Sequence, residues 1–173
     1  MSKNLTLTKV VQQQDNSAIY STNFDGVLHE KLEVLVFTTP ETRLLLNSPE
    51  ICGSEFQIIF SNGLSNVLDA LKLYPSDIAK QLSSDPIDIL YILRGGLNFN
   101  LHEIIHKTLE RTSEVSFISS QRVPKEGGFD IAEAAYEKWS VQDQSLLCFG
   151  DISATGTTIK QAVQRTIDHP IGK

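Results

Sequence analysis

Three short apolar runs in the second half of the chain have the length of buried β-strands. They cover residues 87–93, 115–119 and 146–149. Apolar residues at helical spacing follow the first and third runs, over 99–109 and 157–167. The run at 146–149 is apolar throughout and suits a strand covered on both faces, as in a parallel sheet. We therefore predict strand–turn–helix units in this half of the chain.

The N-terminal part of the chain has weaker patterns. Apolar and polar residues alternate within 28–38, and 55–60 is a second strand candidate. Residues 64–71 have apolar positions at helical spacing, and Pro75 interrupts that helix. These segments predict a small mixed α+β region before the α/β part.

Composition and charge narrow the classes of partner. A length of 173 residues and a hydrophobic fraction of 40% suit a packed globular domain. Fifteen basic against 21 acidic residues give a net charge of −6 without a basic cluster, which argues against nucleic acid. The apolar runs are far shorter than the roughly 20 residues that span a bilayer, and the N-terminus has no signal-peptide core. We expect a cytoplasmic protein with no membrane partner.

The third apolar run ends in a turn that suits a phosphate. Residues 146–158 read Leu-Leu-Cys-Phe-Gly-Asp-Ile-Ser-Ala-Thr-Gly-Thr-Thr, so a hydroxyl-rich turn separates the strand from the helix. Backbone N–H groups and the positive end of the helix dipole meet at such a helix N-terminus. The residues that could wrap a phosphate there are Thr155, Gly156, Thr157 and Thr158. The alternative is an ordinary helix N-cap made by Thr155 or Thr157.

The first apolar run also ends in a turn that suits an anion. Arg94, Gly95 and Gly96 follow it directly, before the helical pattern at 99–109. Glycines let the backbone approach an anion closely, and a guanidinium presents several donors to phosphate oxygens. The alternative is an ordinary strand-ending turn.

Together the two turns resemble the phosphate-binding segments of the type I phosphoribosyltransferases. The turn after the third run is similar to that family's signature for the ribose and 5′-phosphate of phosphoribosyl pyrophosphate (PRPP). Arg94-Gly95-Gly96 looks like the family's pyrophosphate loop. Asp151 falls on the second of two acidic positions in the signature, whereas Gly150 stands where the first is usual.

The resemblance implies a fold and roles for individual residues. It implies an α/β, parallel-sheet core over 61–173 and a small mixed α+β hood over 1–60. Asp151 would be a catalytic residue that holds ribose hydroxyls or their Mg²⁺, and Arg94, Gly95 and Gly96 would hold the pyrophosphate. The other substrate contacts would come from Ser153, Ala154, Thr155, Gly156, Thr157 and Thr158. Because the family's core continues through two more strands, we also expect this core to be incomplete at its C-terminus.

A polar stretch at 121–129 is similar to the flexible loop that closes over the active site in this family. Such a lid needs glycine hinges and a cation aimed at the departing pyrophosphate. Arg122 and Lys125 are the candidates for this catalytic role. The alternative is a solvated hairpin with two surface cations.

The activity implied by the resemblance is transfer of the phosphoribosyl group from PRPP to a nitrogenous base or a similar nucleophile. Pyrophosphate is released, Mg²⁺ is the cofactor, and a homodimer is expected. Gly150 leaves a second hypothesis open, a regulator of the same fold that binds PRPP or a nucleotide with little or no catalysis. A third hypothesis is a non-enzymatic α/β module whose turns only resemble phosphate loops.

Several other titratable residues are expected to be structural. His102 and His106 are four apart on a predicted helix, a spacing that can hold a metal ion. The apolar stripe of that helix leaves both near its polar border, so solvated positions are favoured. Asp85 and Asp88 are expected at the surface or as capping groups, and Cys148 is expected to be a small core residue.

Overall fold

A computed structural model of the chain describes residues 5–12, 17–24, 34–93, 99–119, 122–126, 128–131, 136–150 and 157–169. The helices of these residues are α1 (Pro40–Asn47), α2 (Gly53–Leu73), α3 (Asp77–Ser84), α4 (Leu101–Leu109) and α5 (Thr157–Asp168). The strands are β1 (Leu5–Gln12), β2 (Ala18–Phe24), β3 (Leu35–Thr38), β4 (Ile87–Ile92), β5 (Glu114–Ile118), β6 (Arg122–Lys125), β7 (Gly128–Ile131), β8 (Glu137–Lys138) and β9 (Leu146–Cys148). The chain divides into two compact units, Met1–Lys80 and Gln81–Lys173. The boundary that we expected at residue 60 falls inside α2.

The first unit contains a three-stranded antiparallel sheet in the order β1-β2-β3. Tyr20 of β2 pairs with Lys9 of β1 on one side and with Val36 of β3 on the other. Ile19 of the central strand is fully buried. The last residues of the alternating segment at 28–38 therefore form strand β3. No sequence pattern indicated β1 or β2.

A capping box fixes the start of α1. Thr39 Oγ1 accepts the backbone amide of Thr42 at 3.1 Å, and Thr42 Oγ1 accepts the amide of Thr39 at 2.9 Å. Pro40 occupies the start of the helix, where no N–H is needed. Glu41 then accepts a hydrogen bond from Asn66 of α2 at 3.0 Å. These contacts hold α1 against α2.

The prediction of a strand at 55–60 is wrong, because these residues form the first turns of helix α2. Phe56 and Phe60 stack one helical turn apart, with their ring centroids at 5.6 Å. A short apolar run does not by itself distinguish a strand from part of a helix. The helical pattern at 64–71 is confirmed as the second half of α2.

The second unit is built on a four-stranded sheet in the order β8-β5-β4-β9. Strand β4 is parallel to both β5 and β9, and β8 pairs antiparallel with β5. All residues of β4 are buried, as a central strand requires. The protein is thus mixed α/β with parallel strand pairs. The strands and helices that we predicted for this unit are confirmed within about two residues at their ends.

Helices α4 and α5 cover opposite faces of this sheet. Leu90 and Ile92 of β4 pack with Ile118 of β5 and Ala162 of α5 in one buried cluster. Tyr91 lies between Leu90 and Ile92 and contacts His102 of α4. Since successive strand residues point to opposite faces, the two helices lie on opposite sides.

Asp88 is buried in β4, so the expectation of a surface or capping carboxylate is wrong for this residue. Its Oδ2 accepts the backbone amide of Gln142 at 2.7 Å and the hydroxyl of Ser145. Both partners lie in the turn that leads into β9. Because a buried carboxylate is costly unless donors surround it, this turn is bound to β4. No local pattern distinguishes such a residue from a surface aspartate.

Replacing Asp88 should destabilise the second unit. In Asp88→Ala the Gln142 amide loses its buried acceptor, which costs about 1–3 kcal/mol of unfolding free energy. Asp88→Asn keeps one acceptor oxygen and should cost less. Trp139 is the only tryptophan of the chain and packs on this unit's core, so its fluorescence during denaturant unfolding measures the change. Asp143→Ala, at an exposed carboxylate of the same turn, is the control, and equal effects of the two alanine variants would contradict the assignment.

Candidate ligand-binding site

The carboxyl ends of β4 and β9 are neighbours in the sheet of the second unit. From β4 the chain passes through α4 to β5 on one side of β4, and it later places β9 on the other side. The strand order therefore reverses between β4 and β9. In open α/β sheets, ligands bind in the crevice beyond the carboxyl ends of the strands at such a reversal. This crevice is the candidate site.

Both turns that suit an anion leave the sheet at this reversal. The turn with Arg94 follows β4, and the turn with Asp151 follows β9. Neighbouring strands lie about 4.8 Å apart, and Cys148 at the end of β9 lies opposite Ile89, so β9 ends three residues before β4. Residues 94–98 and 151–156 lie outside the described residues. They include the predicted site residues Arg94, Gly95, Gly96, Asp151, Ser153, Ala154, Thr155 and Gly156.

The N-terminus of α5 carries the remaining predicted phosphate contacts. The helix begins at Thr157, and Thr158 is buried. Its first turn has no acidic residue and includes Lys160, whereas the first turn of each of the other four described helices contains an acidic residue. Acidic side chains of the first turn therefore do not offset the positive end of the α5 dipole. This favours an anion at α5 over the other helix starts.

The N-terminus of α4 is engaged within the protein. The Tyr91 hydroxyl accepts the backbone amide of His102 at 3.2 Å and lies 2.6 Å from His102 Nδ1. The Asn100 carbonyl accepts the amides of Glu103 and Ile104, both at 3.2 Å. Because these amides have partners, an anion after β4 would be held by the preceding turn. His102 is exposed as expected, yet its ring is fixed on one side by a buried tyrosine.

Phe99 and Gly150 link the segments that follow β4 and β9. Phe99 lies just before α4, and Gly150 lies two residues beyond the end of β9. A β-carbon added at Gly150 would lie 2.7 Å from Cγ and 2.8 Å from Cδ1 of the Phe99 ring. Carbon atoms in ordinary contact are about 3.5–4.0 Å apart, so this ring position requires glycine at 150. No sequence pattern indicated Phe99.

The expected lid segment is a two-stranded hairpin. β6 and β7 pair antiparallel, from Arg122 opposite Ile131 to Lys125 opposite Gly128. This is the backbone that the hairpin alternative predicted for 121–129. The catalytic roles of Arg122 and Lys125 stay predictions.

The described part of the chain contains neither a cluster placed to hold a metal ion nor a helix that could span a membrane. No group of three or more His, Cys, Asp or Glu side chains there is placed to hold a metal ion. No helix there is long and apolar enough to cross a membrane. Asp151, the predicted Mg²⁺ ligand, lies outside the described residues.

Protein-family models, curated proteins and solved structures were compared with this chain, and none of them matches it. Strand order, the positions of the two turns and their chemistry are therefore the observations that bear on its function.

The two cysteines should differ sharply in reactivity. Burial, with a smaller contribution from Asp88, raises the pKa of Cys148 to about 11, so only about one thiol in a thousand is ionised at pH 8. Cys52 is exposed. We expect Ellman's reagent to label one thiol quickly at pH 8 and the second only on unfolding or as pH rises toward 11. In Cys52→Ser, rapid labelling of Cys148 at pH 8 would contradict the raised pKa of this half-buried thiol on β9.

The hydroxyl of Tyr91 should stabilise the start of α4. Tyr91→Phe removes the hydroxyl that contacts the backbone amide and the Nδ1 atom of His102. This change should lower the unfolding free energy by about 1 kcal/mol. Burial raises the pKa of Tyr91, so the neutral hydroxyl is present at neutral pH. Tyr136→Phe, at a tyrosine that is 51% exposed, should have almost no effect. Identical stabilities of the two variants by Trp139 fluorescence would refute this role.

Proposed function

We propose that the chain is a phosphoribosyltransferase of the type I kind, which transfers the phosphoribosyl group of PRPP to a nitrogen nucleophile. The observation that carries the proposal is the position of the two turns. The turn that resembles a pyrophosphate loop and the turn that resembles a PRPP signature follow adjacent carboxyl strand ends, on the two sides of the strand-order reversal. PRPP carries a pyrophosphate and a phosphate on one ribose, so it would use two neighbouring anion sites at once.

The turn after β9 would bind the ribose 5-phosphate half of PRPP. Backbone amides and hydroxyls from Ser153 to Thr158 would surround the phosphate, and the α5 dipole would favour its charge. The absence of an acidic residue from the first turn of α5 supports this role. Asp151 would accept hydrogen bonds from the ribose hydroxyls.

The turn after β4 would bind the pyrophosphate. Gly95 and Gly96 would allow its oxygens to approach the backbone, and Arg94 would donate to them. Since the chain has a net charge of −6, the pyrophosphate depends on such local cations. Arg122 and Lys125 of the β6–β7 hairpin are further candidates for this charge.

Mg²⁺ would be the cofactor, and phosphate oxygens of the substrate would provide some of its ligands. In phosphate sites Mg²⁺ is commonly bound by one or two carboxylates together with phosphate oxygens and water, and Asp151 would supply one carboxylate. Bound Mg²⁺ would neutralise part of the charge on the leaving pyrophosphate.

In the reaction, the bond from ribose C1 to the pyrophosphate oxygen breaks and a bond from C1 to the acceptor nitrogen forms. The pyrophosphate leaves with the electron pair of the broken bond, and an acceptor nitrogen that carries a proton releases it to water or to the departing pyrophosphate. The two turns would hold the ends of the substrate so that C1 faces the acceptor. A cytoplasmic homodimer that acts on small molecules belongs to the same proposal.

One observation favours the second candidate, a regulator that binds PRPP or a nucleotide with little or no catalysis. Gly150 stands where the resemblance leads one to expect a carboxylate, and the Phe99 ring occupies the space that a side chain would need. With Asp151 alone, the ribose and Mg²⁺ would be held less firmly. Binding is common to both candidates, and turnover distinguishes them.

Calorimetric titration with PRPP in the presence of Mg²⁺ tests the proposal. Arg94→Ala should weaken PRPP binding by at least about tenfold through the loss of charge-assisted hydrogen bonds, which are worth roughly 1.5–3 kcal/mol. Gly156→Val should abolish it by blocking the approach of the phosphate to the backbone. Lys80→Ala removes one exposed cation from a surface ion pair and should leave the affinity unchanged.

Release of pyrophosphate is then measured with a panel of purine, pyrimidine and pyridine bases. Turnover with one base supports the transferase, and PRPP binding without turnover on the panel supports the regulator. Absence of PRPP binding to the unmodified chain would overturn the transferase, and absence of binding of both PRPP and nucleotides would overturn both candidates.

A further inference from the structure

Strand β9 forms one edge of the sheet in the second unit, and no strand of the described residues pairs with its outer side. Leu146 donates its backbone amide to the Pro86 carbonyl at 2.8 Å, on the side of β4. Successive residues of a strand direct their N–H and C=O groups to opposite sides. Both backbone groups of Leu147 therefore face away from β4, where a further strand would bind them.

The composition of this edge favours pairing with another strand. Residues 146–149 carry no charge, whereas β8 at the opposite edge of the same sheet consists of Glu137 and Lys138. Charged side chains are one means by which proteins prevent pairing at an exposed edge. The residues of β9 are only half-buried, although all residues of the neighbouring β4 are buried. A strand added to β9 would complete their burial.

Helix α5 has an apolar flank, formed by Val163 and Ile167, on the same side of the sheet. Gln161 and Arg165 line a cavity with Glu137 of β8, so that side of the helix faces the β8 edge. Val163 and Ile167 lie on the opposite side of the helix by its period of 3.6 residues, and they are 39% and 70% exposed. Since β8 and β9 are opposite edges of the sheet, the apolar flank faces the β9 edge.

We infer that the β9 edge and the apolar flank of α5 form one interface that binds a second copy of the chain across a twofold axis. Leu147 then lies opposite Leu147 of the partner subunit, a position at which antiparallel strands exchange both hydrogen bonds. The same surface serves both copies, as a closed dimer requires. A homodimer already belongs to the proposed function; the surface through which it forms goes beyond it and does not depend on PRPP.

The twofold axis also brings together complementary charges of the two α5 helices. Because each helix is fixed on its own sheet, the pairing of β9 with its copy makes the helices antiparallel. The first turn of one α5, which contains Lys160 and no acidic residue, then lies beside the last turn of the other, where the helix dipole is negative. Since β9 has only three residues, strand pairing alone gives few hydrogen bonds, and the helix contact provides the remaining interface.

Sedimentation equilibrium over a range of concentrations tests the interface. The unmodified chain should pass from a mass of 19.2 kDa to twice this mass as its concentration rises. Ile167→Lys should raise the dissociation constant at least about tenfold, because each dimer then loses two apolar contacts. Ile58→Lys, at a 61% exposed side chain of α2, is the matched control and should leave the constant unchanged. A chain that stays monomeric, or equal effects of the two variants, overturns the inference.

Amide hydrogen exchange at β9 locates the contact independently of any substitution. The Leu146 amide, which is bonded to Pro86, should be protected at every concentration. The Leu147 amide should exchange fast in the monomer and slowly once the dimer forms. Protection of Leu147 in the monomer would mean that another segment of the same chain covers the edge, and fast exchange in the dimer would mean that a different surface associates. Either result overturns the inference.

The association measurements and the PRPP measurements fail independently. If the unmodified chain binds no PRPP, the transferase is overturned, while concentration-dependent protection of Leu147 still supports the interface. If the chain binds PRPP and releases pyrophosphate as a monomer, the interface is refuted and the transferase stands.

Discussion

The placement of β9 beside β4 is the constraint on which the candidate site depends, and a buried carboxylate enforces it. The chain between β8 and β9 crosses the sheet, and three hydrogen bonds attach it to β5, to β4 and to the residue before β4. Ser140 donates its amide to the Ser116 hydroxyl of β5 at 2.8 Å, Gln142 donates to Asp88 of β4 at 2.7 Å, and Leu146 donates to the Pro86 carbonyl at 2.8 Å. These bonds carry the chain past β5 and β4 to the far edge of β4. The strand-order reversal, and with it the crevice, follows from this crossing.

The first turns of α4 and α5 differ in whether they contain an acidic residue. The first turn of α4 uses its amides for bonds to Tyr91 and Asn100, and it carries Glu103. Hydrogen bonds from Lys107 and Asn100 hold the pKa of Glu103 below its usual value, which keeps it ionised near a positive helix end. The first turn of α5 has no such acid. In the proposed site, an anion in the crevice would therefore interact with the helix dipole of α5 and with the backbone of the turn after β4.

Sequence patterns predicted the second unit better than the first for a physical reason. The apolar run of β4 is covered on both faces and both edges, so nearly every position had to be apolar and the strand was easy to identify. β1 and β2 belong to an antiparallel sheet with mixed composition, and the run at 55–60 proved to be helical because its apolar residues also fit a helix face. Asp88 and the pair Phe99–Gly150 depend on partners about fifty residues away in sequence. Local patterns contain no information on such contacts.

Whether the two turns form one site is tested most directly by mapping amide chemical shifts in a ¹⁵N-labelled chain during titration with PRPP and Mg²⁺. The account predicts that shifts concentrate in two segments, 93–98 after β4 and 150–160 after β9, and that both move with the same affinity because one molecule contacts both. Ribose 5-phosphate should move mainly the second segment. Shifts confined to residues outside these segments, or different affinities for the two segments with PRPP, would contradict a shared site.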